Sequence, residues 1–295
     1  MDVSVILVNY NTYQMTRECI DSIFEQTKDV SFEIILVDNA STDESKEFFS
    51  QDHRIKYVYS FENLGFGRAN NIGMMLSKGD YVFLLNTDTL LLNNAIKLFL
   101  DKATNDSNVF LGSWLLNKKG DIITSFGDEP TITDMLKRAA NPYLIVLGAK
   151  KREMMAHSSF TYLGKECEVG YVSGANMFFH RSIFERYGAF DHNFFMYFEE
   201  AEWQKRMKQY GIKSKLIEGP RIIHLVGGSV DKNSQKYRSL KSRMMMKDSR
   251  RYFLKKYYQW PYRFLFFILY NLLDLPFVIL SPRYRFLDKI KYVIK

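Results

Sequence analysis

Three short apolar runs in this chain stop abruptly at polar residues: "VSVILVNYN", "EIILVDNAS" and "YVFLLNTDT". Val3 to Val8 ends at Asn9-Tyr10-Asn11, Phe32 to Val37 at Asp38-Asn39, and Tyr81 to Leu85 at Asn86-Thr87-Asp88. Nearly continuous apolar runs of this length, broken only at Ser4 and Glu33, are the mark of strands buried on both faces, which occur in parallel sheets covered by helices. The intervening segments supply the helices. Ile20, Ile23 and Phe24 predict one across 14–26, and Ser41 with Glu44 three residues later predicts a capped one across 42–49. Ile55 to Tyr59 reads as a further strand, Ala95 to Leu100 as a helix and Val109 to Leu115 as extended chain. The expected class is α/β, with a mostly parallel central sheet flanked by helices. Ligands of such sheets gather beyond the C-terminal strand ends. One polar strand end is equally a solvated turn; three on one edge read as a site.

The familiar nucleotide loops are missing from that edge. No GxGxxG follows Val8, where the chain reads "NYNTYQM", and GxxxxGK[ST] is absent. Gly65-Phe66-Gly67 reads instead as a tight turn that lets Arg68 and the helix after it approach something. Lys and Arg outnumber Asp and Glu by 41 to 33, which favours anionic partners. Cys19 and Cys167 are far apart and in no CxxC group, so a disulfide framework and a cysteine metal site are both excluded, and a reducing compartment is expected. "MDVSVILVNYN" enters a strand at once, which argues against an export leader.

Periodicity weakens between 117 and 168. "NKKGDIITSFGDEP" predicts a hairpin, and the rest is expected to be a substrate-side loop or a surface excursion. "GYVSGANMFFHRSIFERYGAFD" reads as a turn, a strand at Ala175 to Phe179, a short helix and another turn. Next come four aromatic residues, Phe194, Phe195, Tyr197 and Phe198, and then Glu199, Glu200 and Glu202 at the head of a helix carrying Trp203, Met207 and Tyr210. Acids in a first helical turn suit the helix dipole. A carboxylate against an apolar wall also has its pKa raised, which suits a general base. His224 closes the apolar pair Ile222-Ile223 and by itself reads as a structural histidine.

These stretches together resemble the inverting glycosyltransferases of family 2, in particular bacterial enzymes that add rhamnose, galactose or similar sugars to surface polysaccharides. "VSVILVNYNT", "EIILVDNASTDES", "ENLGFGRANNIG", "GDYVFLLNTDT", "VSGANMFFHRSIFERYGAFDHNFFMYFEEAEWQKRM" and "IIHLVGGS" occur in the family's order and cover about 1 to 230. The resemblance implies the GT-A nucleotide-diphospho-sugar transferase fold over 1–230, followed by a C-terminal helical extension over 231–295. It places the donor's base and ribose at Val8, Asn9, Tyr10, Asp38 and Asn39, with Arg68 near base or diphosphate. Asn86-Thr87-Asp88 takes the place of the metal-binding DxD motif with its first acid changed to an amide. Asp88 is thus the expected ligand of Mn²⁺ or Mg²⁺, with His224 as a further metal or diphosphate contact. The family's "ED" pair becomes Glu199-Glu200, with Glu200 at the base position. Aspartate is usual there, so the carboxylate sits about one bond length further out, and reacting groups tolerate little misplacement. Glu202, where the family also prefers aspartate, is expected on the acceptor side.

The function so implied is inverting transfer from a UDP- or dTDP-sugar to a hydroxyl of a saccharide acceptor, expected to be lipid-linked, in surface polysaccharide synthesis. Two other readings compete. A nucleotidyltransferase should carry a glycine- and basic-rich loop after strand one, and this chain does not. A catalytically inactive binding subunit draws its support from the Glu200 substitution.

The tail changes character. Residues 231 to 260 hold ten Lys or Arg against Asp231 and Asp248, and an apolar stretch from Phe264 to Leu280 follows, interrupted by Asn271, Asp274 and Pro276. Spanning a bilayer takes about 20 apolar residues, and an acid near the centre costs roughly 3 kcal/mol. The expectation is a segment lying on an anionic membrane surface, at the inner face of the cell membrane of a cytoplasmic protein. A helical pair packed on the catalytic domain or forming a homodimer seam is the alternative. No recognition module accompanies the basic stretch, so nucleic acid is not an expected partner.

Overall fold

The structure is a computed structural model that describes residues 1–146, 164–225, 240–280 and 289–292. The centre of the 117–168 segment, the Gly227-Gly228 turn and the first third of the basic stretch lie outside the described residues.

The three apolar runs are β1 (Val3–Asn9), β2 (Phe32–Asp38) and β4 (Tyr81–Asn86). With β3 (Lys56–Tyr59) they form a parallel block in the order β3-β2-β1-β4. Beyond β4 the sheet continues with β11 (Asn176–His180), β6 (Val109–Leu116), β12 (Lys213–His224) and β5 (Thr89–Leu91). β11 runs antiparallel to β4 and β6, and β5 antiparallel to β12. β7 (Ile122–Ile123) closes the expected hairpin against β6, β9 (Cys167–Glu168) pairs with β12, and β8 (Phe126–Gly127) pairs with β10 (Tyr171–Val172) in a separate ribbon.

Residues of β1 alternate between two cores, as the period of a strand requires. Val3, Val5 and Leu7 pack with Ile20 and Ile23 of α1 (Tyr13–Gln26) and with Ile96 and Phe99 of α4 (Ala95–Ala103). Ile6 faces the opposite core, which holds Met74 of α3 (Phe66–Leu76) and Trp203 and Met207. A run buried on both faces has no polar side to show, hence its nearly continuous apolar sequence; its one polar member, Ser4, is buried and donates to Glu33 at 2.7 Å.

Two expectations about local structure are corrected. α2 spans only Ser45–Phe49, because Ser41 does not cap it. The Ser41 hydroxyl accepts from the Asn9 side chain and from the Asn11 backbone amide, each at 3.0 Å. The weakly patterned segment contains α5 (Ile132–Val146), whose first turn is capped by the Thr131 hydroxyl accepting from the Asp134 amide at 3.1 Å. Asn141-Pro142 disguised that helix as a loop, since such a pair usually breaks one.

After β11, α6 (Ser182–Tyr187) leads to α7 (Glu199–Lys208), which carries the carboxylate cluster. The C-terminal extension forms α8 (Leu240–Tyr257) and α9 (Trp260–Leu280). Met135 and Ala139 of α5 pack with Phe194, with Phe253 and Leu254 of α8 and with Phe266 and Tyr270 of α9. By length and composition α9 could cross a membrane. Its Phe266, Tyr270, Asp274 and Val278 form one buried stripe, four residues apart. The acid is part of that stripe: Asp274 accepts from Arg243 Nη1 at 3.1 Å and from the Tyr292 hydroxyl.

Candidate active site

The register of the sheet brings the three polar strand ends together. Asn9 lies beside Asp38 and Val8 beside Asn86. The predicted binding residues then divide by exposure. Asn9, Asp38, Asn39 and Thr87 are buried, whereas Tyr10 and Arg68 are exposed and Val8, Asn86 and Asp88 are half-buried.

Asp38 has no exposed surface, and both of its oxygens are taken: Oδ1 accepts from the Ser41 amide at 2.9 Å and Oδ2 from the Tyr57 hydroxyl at 2.7 Å. Burial, with the Asp38 charge beside it, raises the Tyr57 phenol, so the proton of that bond stays on tyrosine. Asn9 is equally occupied, accepting from Thr12 and Thr16 and donating to Ser41. Asn39 accepts from the Leu64 amide and donates to Asn63 Oδ1 and the Gly65 carbonyl. Asp38, Asn9 and Asn39, the residues expected at the donor's base and ribose, thus also bond one another's loops and shape the rim from within, since a buried polar group left unpaired would cost about 1–3 kcal/mol.

Gly65 has a second partner of structural weight. Its φ is +81°, and an added Cβ would sit 2.0 Å from the Phe195 carbonyl oxygen, which accepts from the Phe66 amide at 3.0 Å. What the glycine turn approaches is thus the aromatic segment ahead of α7. Arg68 follows suit, donating through Nε to the His192 carbonyl at 2.6 Å.

The second cluster forms where β4 turns into β5 against the end of β12. His224 pairs with Thr89 in register, and its Nε2 lies 3.1 Å from Asp88 Oδ1 and 3.4 Å from Asn86 Nδ2. Sequence reasoning put these three residues together, and the sheet delivers them to one point. Among the described residues no group of three or more His, Cys, Asp and Glu side chains could hold a metal ion. One carboxylate, one imidazole and one amide nevertheless fit a divalent ion that draws its other ligands from elsewhere. A hard cation takes about six ligands, so most positions would fall to phosphate oxygens and water.

The third cluster heads α7. Tyr197 and Phe198 both have left-handed backbone, with φ of 72° and 71°, a strained pair directly before the carboxylates. Phe194 packs edge-on to Tyr252 at 4.9 Å, and Phe198 meets Phe253 at 5.4 Å, so these rings dock the turn onto α8. Glu199 is buried, while Glu200 is half-buried and reaches a cavity of about 410 Å³. Glu200 Oε1 accepts from the Gly174 amide at 3.3 Å, and the next residue's carbonyl, that of Ala175, accepts from the Asn86 amide at 3.1 Å. The Gly174-Ala175 loop thereby ties the carboxylate pair to the Asn86–Asp88 cluster. Burial raises the Glu200 carboxyl above its ordinary range. Burial, reinforced by the neighbouring Glu200 charge, raises Glu199 well above its ordinary 4.5. The two carboxyls therefore resist ionising together, and the half-buried Glu200, which accepts from the Gly174 amide, is the better placed of the two to carry the charge.

Glu202 is corrected: it is buried, 0 % exposed, and not on an acceptor surface. Its Oε1 receives Lys256 Nζ at 2.8 Å, the Tyr257 hydroxyl at 2.9 Å and Arg206 Nε at 3.2 Å. Lys256 also binds Asp191 at 2.7 Å. Sequence reasoning missed Asp191 and Lys256, whose only signal was a lysine-rich stretch that reads as a solvated face.

The model of "Glycosyl transferase family 2" matches residues 4–188 of this chain. "Glycosyltransferase GlyG" of Streptococcus pneumoniae serotype 4 is 33 % identical over 117 residues, 38 % of this chain and 38 % of that one. "Low-salt glycan biosynthesis hexosyltransferase Agl10" of Haloferax volcanii is 28 % identical over 229 residues, 76 % of this chain and 67 % of its own. The match to the first of these relatives thus spans well under half of its length. Among solved structures, GalNAc-T7 with UDP, GalNAc and Mn²⁺ superposes with a TM-score of 0.56 and 15 % identity, over 76 % of this chain and 44 % of that one, a likeness of fold.

Proposed function

Because the chain belongs to glycosyl transferase family 2, we propose that it transfers a sugar, with inversion, from a UDP- or dTDP-sugar to a hydroxyl of a saccharide acceptor. The observation that carries this reading is the Gly174-Ala175 loop, which bonds Glu200 through one residue and Asn86 through the next. A transferase of this kind needs a base on one side of the anomeric carbon and diphosphate stabilisation on the other. One rigid turn spans both groups here.

Donor binding falls to the rim, with Tyr10 and Arg68 exposed, Val8 half-buried and Asn9, Asp38 and Asn39 behind them, and to Asn86, Thr87, Asp88 and His224. Asp88 and His224 would hold Mn²⁺ or Mg²⁺. Such an ion, when bound, supplies positive charge to the departing diphosphate. Glu200 accepts the proton of the acceptor hydroxyl as its oxygen bonds to the anomeric carbon. The bond from that carbon to the diphosphate oxygen breaks in the same step, and the electron pair leaves with the nucleoside diphosphate. Glu199 stays protonated beneath, so no second negative charge opposes ionisation of Glu200. The raised Glu200 pKa makes it a stronger base than an exposed carboxylate.

Residues 231–295 belong, in this reading, to the membrane side. α9 turns its acid inward and exposes Phe264, Leu265, Ile268 and Leu272 on the other face. A helix with that division suits a bilayer surface at the cytoplasmic face, where a lipid-linked acceptor would be met.

Calorimetric titration with UDP and dTDP, with and without Mn²⁺, followed by the anomeric configuration of the product, tests the proposal. Metal-dependent binding and an inverted product are expected. Failure to bind either nucleotide, or a retained configuration, refutes it.

A further inference from the structure

The cavity that Glu200 reaches has walls from the β8–β10 ribbon and the chain leading from it to α5, from α5 itself, from the head of α7, and from the C-terminal helices α8 and α9. None of the residues assigned to the donor lines it. Tyr171, Tyr197, Phe198 and Tyr270 give it aromatic faces. Its charged groups are not balanced once their partners are followed.

The lining carboxylates besides Glu200 are engaged. Glu129 is bonded to Lys205 and Lys208, Asp274 to Arg243 and Tyr292, Asp134 to Thr131, and Asp128 also has a partner. The arginines are not symmetric with them. Arg243 is held by Asp274. Arg250 of α8 lies over the Tyr270 ring, its carbon 4.1 Å from the centroid, and its buried Nε has no hydrogen-bond partner among the described residues. Arg138 of α5 lines the cavity from the other wall, and no described carboxylate lies within ion-pair distance of either Arg138 or Arg250. Arg250 also meets the Tyr270 side chain by a hydrogen bond, and the rest of its fork, with the unpartnered Nε, is left for a planar or tetrahedral anion.

We propose that this cavity is the acceptor subsite and that it selects an acceptor carrying an anionic group, a phosphate or a carboxylate, gripped between Arg250 and Arg138. The inference rests on the transferase reading given above. It gives the C-terminal extension a part in substrate recognition, since Arg250 and its supporting Tyr270 both belong to it. The aromatic faces pack the apolar faces of sugar rings while the arginines fix the charged end. Glu200, on the same wall as Tyr197 and Phe198, receives the hydroxyl at the other end.

The test uses the full chain and three probes titrated by calorimetry: a disaccharide linked to an alkyl diphosphate, a disaccharide ending in a uronic acid, and the neutral disaccharide. UDP is titrated alongside. One anionic probe is expected to bind at least tenfold more tightly than the neutral one, and which of the two does so separates phosphate from carboxylate. The paired change Arg138→Met with Arg250→Met should reduce that preference to less than twofold with UDP affinity unchanged, and Arg250→Lys should restore part of it. Equal binding of the three probes, binding of none by a chain that binds UDP, or a preference that survives the double change overturns the inference. A wild-type chain that fails to bind UDP counts against the donor reading instead, and the probe preference is still read without nucleotide.

Discussion

Lys256, in the C-terminal extension, is ion-paired with Glu202, on the helix that carries Glu200, at 2.8 Å, and the Glu202 carboxylate is wholly buried. The same ammonium holds Asp191 at 2.7 Å, just ahead of the strained Tyr197-Phe198 turn. Although burial opposes it, the bonds to Asp191 and Glu202 raise the Lys256 pKa, so it stays charged at neutral pH. Without Lys256 the Glu202 carboxylate keeps Arg206 and the Tyr257 hydroxyl, while Asp191 loses its ammonium partner. Lys256→Met is therefore expected to cost about 1–3 kcal/mol in chemical denaturation. Glu202→Gln in the same chain should recover part of that loss. A double-mutant cycle with no coupling would remove the clamp from the account.

Glu200→Gln keeps the shape of the side chain and removes the proton acceptor. Transfer is expected to fall by roughly 10²- to 10⁴-fold, the usual contribution of a positioned base. UDP affinity should be unchanged, since Glu200 is joined to the Asn86–Asp88 turn only through the Gly174-Ala175 loop among the bonds described. Glu200→Asp should retain measurable transfer. Steady-state assay of the three proteins checks this, and full activity of the glutamine variant would move the base elsewhere.

Glu199 gives a pH dependence with a definite sign. Its folded-state pKa lies above the unfolded value, ordinarily 4.5. Its contribution to stability is therefore complete below that value and lost as pH rises through the folded pKa. Glu199→Gln cannot ionise, so it should gain stability relative to the wild-type chain as pH rises from about 5 to 8. Parallel thermal melts at the two ends of that range read the difference. A gap independent of pH would mean that Glu199 ionises normally.

Asp88→Asn removes the single negative charge of the Asn86-Asp88-His224 cluster. Mn²⁺-dependent enhancement of UDP binding should disappear, with the circular dichroism spectrum unchanged. Retention of the enhancement would place the ion elsewhere.

The membrane reading is best tested on the outer face of α9. Truncation at 262 would remove Phe266 and Tyr270 from the core they share with Met135 and Phe253. Leu265→Glu with Leu272→Glu touches only exposed positions. The double variant should melt within a few degrees of the wild-type chain and lose cosedimentation with anionic vesicles. Unchanged cosedimentation would assign that face to another protein surface.

What the sequence determined by itself is the sheet and the address of the site. Strands buried on both faces are apolar at nearly every position, so their polar ends are conspicuous, and a parallel block aligns those ends on one edge. Asn86 and Asp88 were legible for that reason, as was the Glu199-Glu200 pair at the head of its helix, whereas His224 by itself read as structural and joined them only through the family resemblance. What the sequence could not disclose is which polar residue faces outward. Asp38, Asn9 and Asn39 look like ligand contacts, yet each finds its partners inside the protein, from Ser41, Tyr57, Thr12 and Leu64. Such bonds, whether three residues apart as in Asp38–Ser41 and Asn9–Thr12 or tens apart as in Asp38–Tyr57 and Asn39–Leu64, leave no periodic trace. The same holds for α5, whose apolar face is completed by helices more than a hundred residues later. Lys256 is another case, since its charge reads as solvated until tertiary packing buries Glu202 against it. Local patterning is set by each segment's own burial; the pairing of buried polar groups is decided only when distant segments meet.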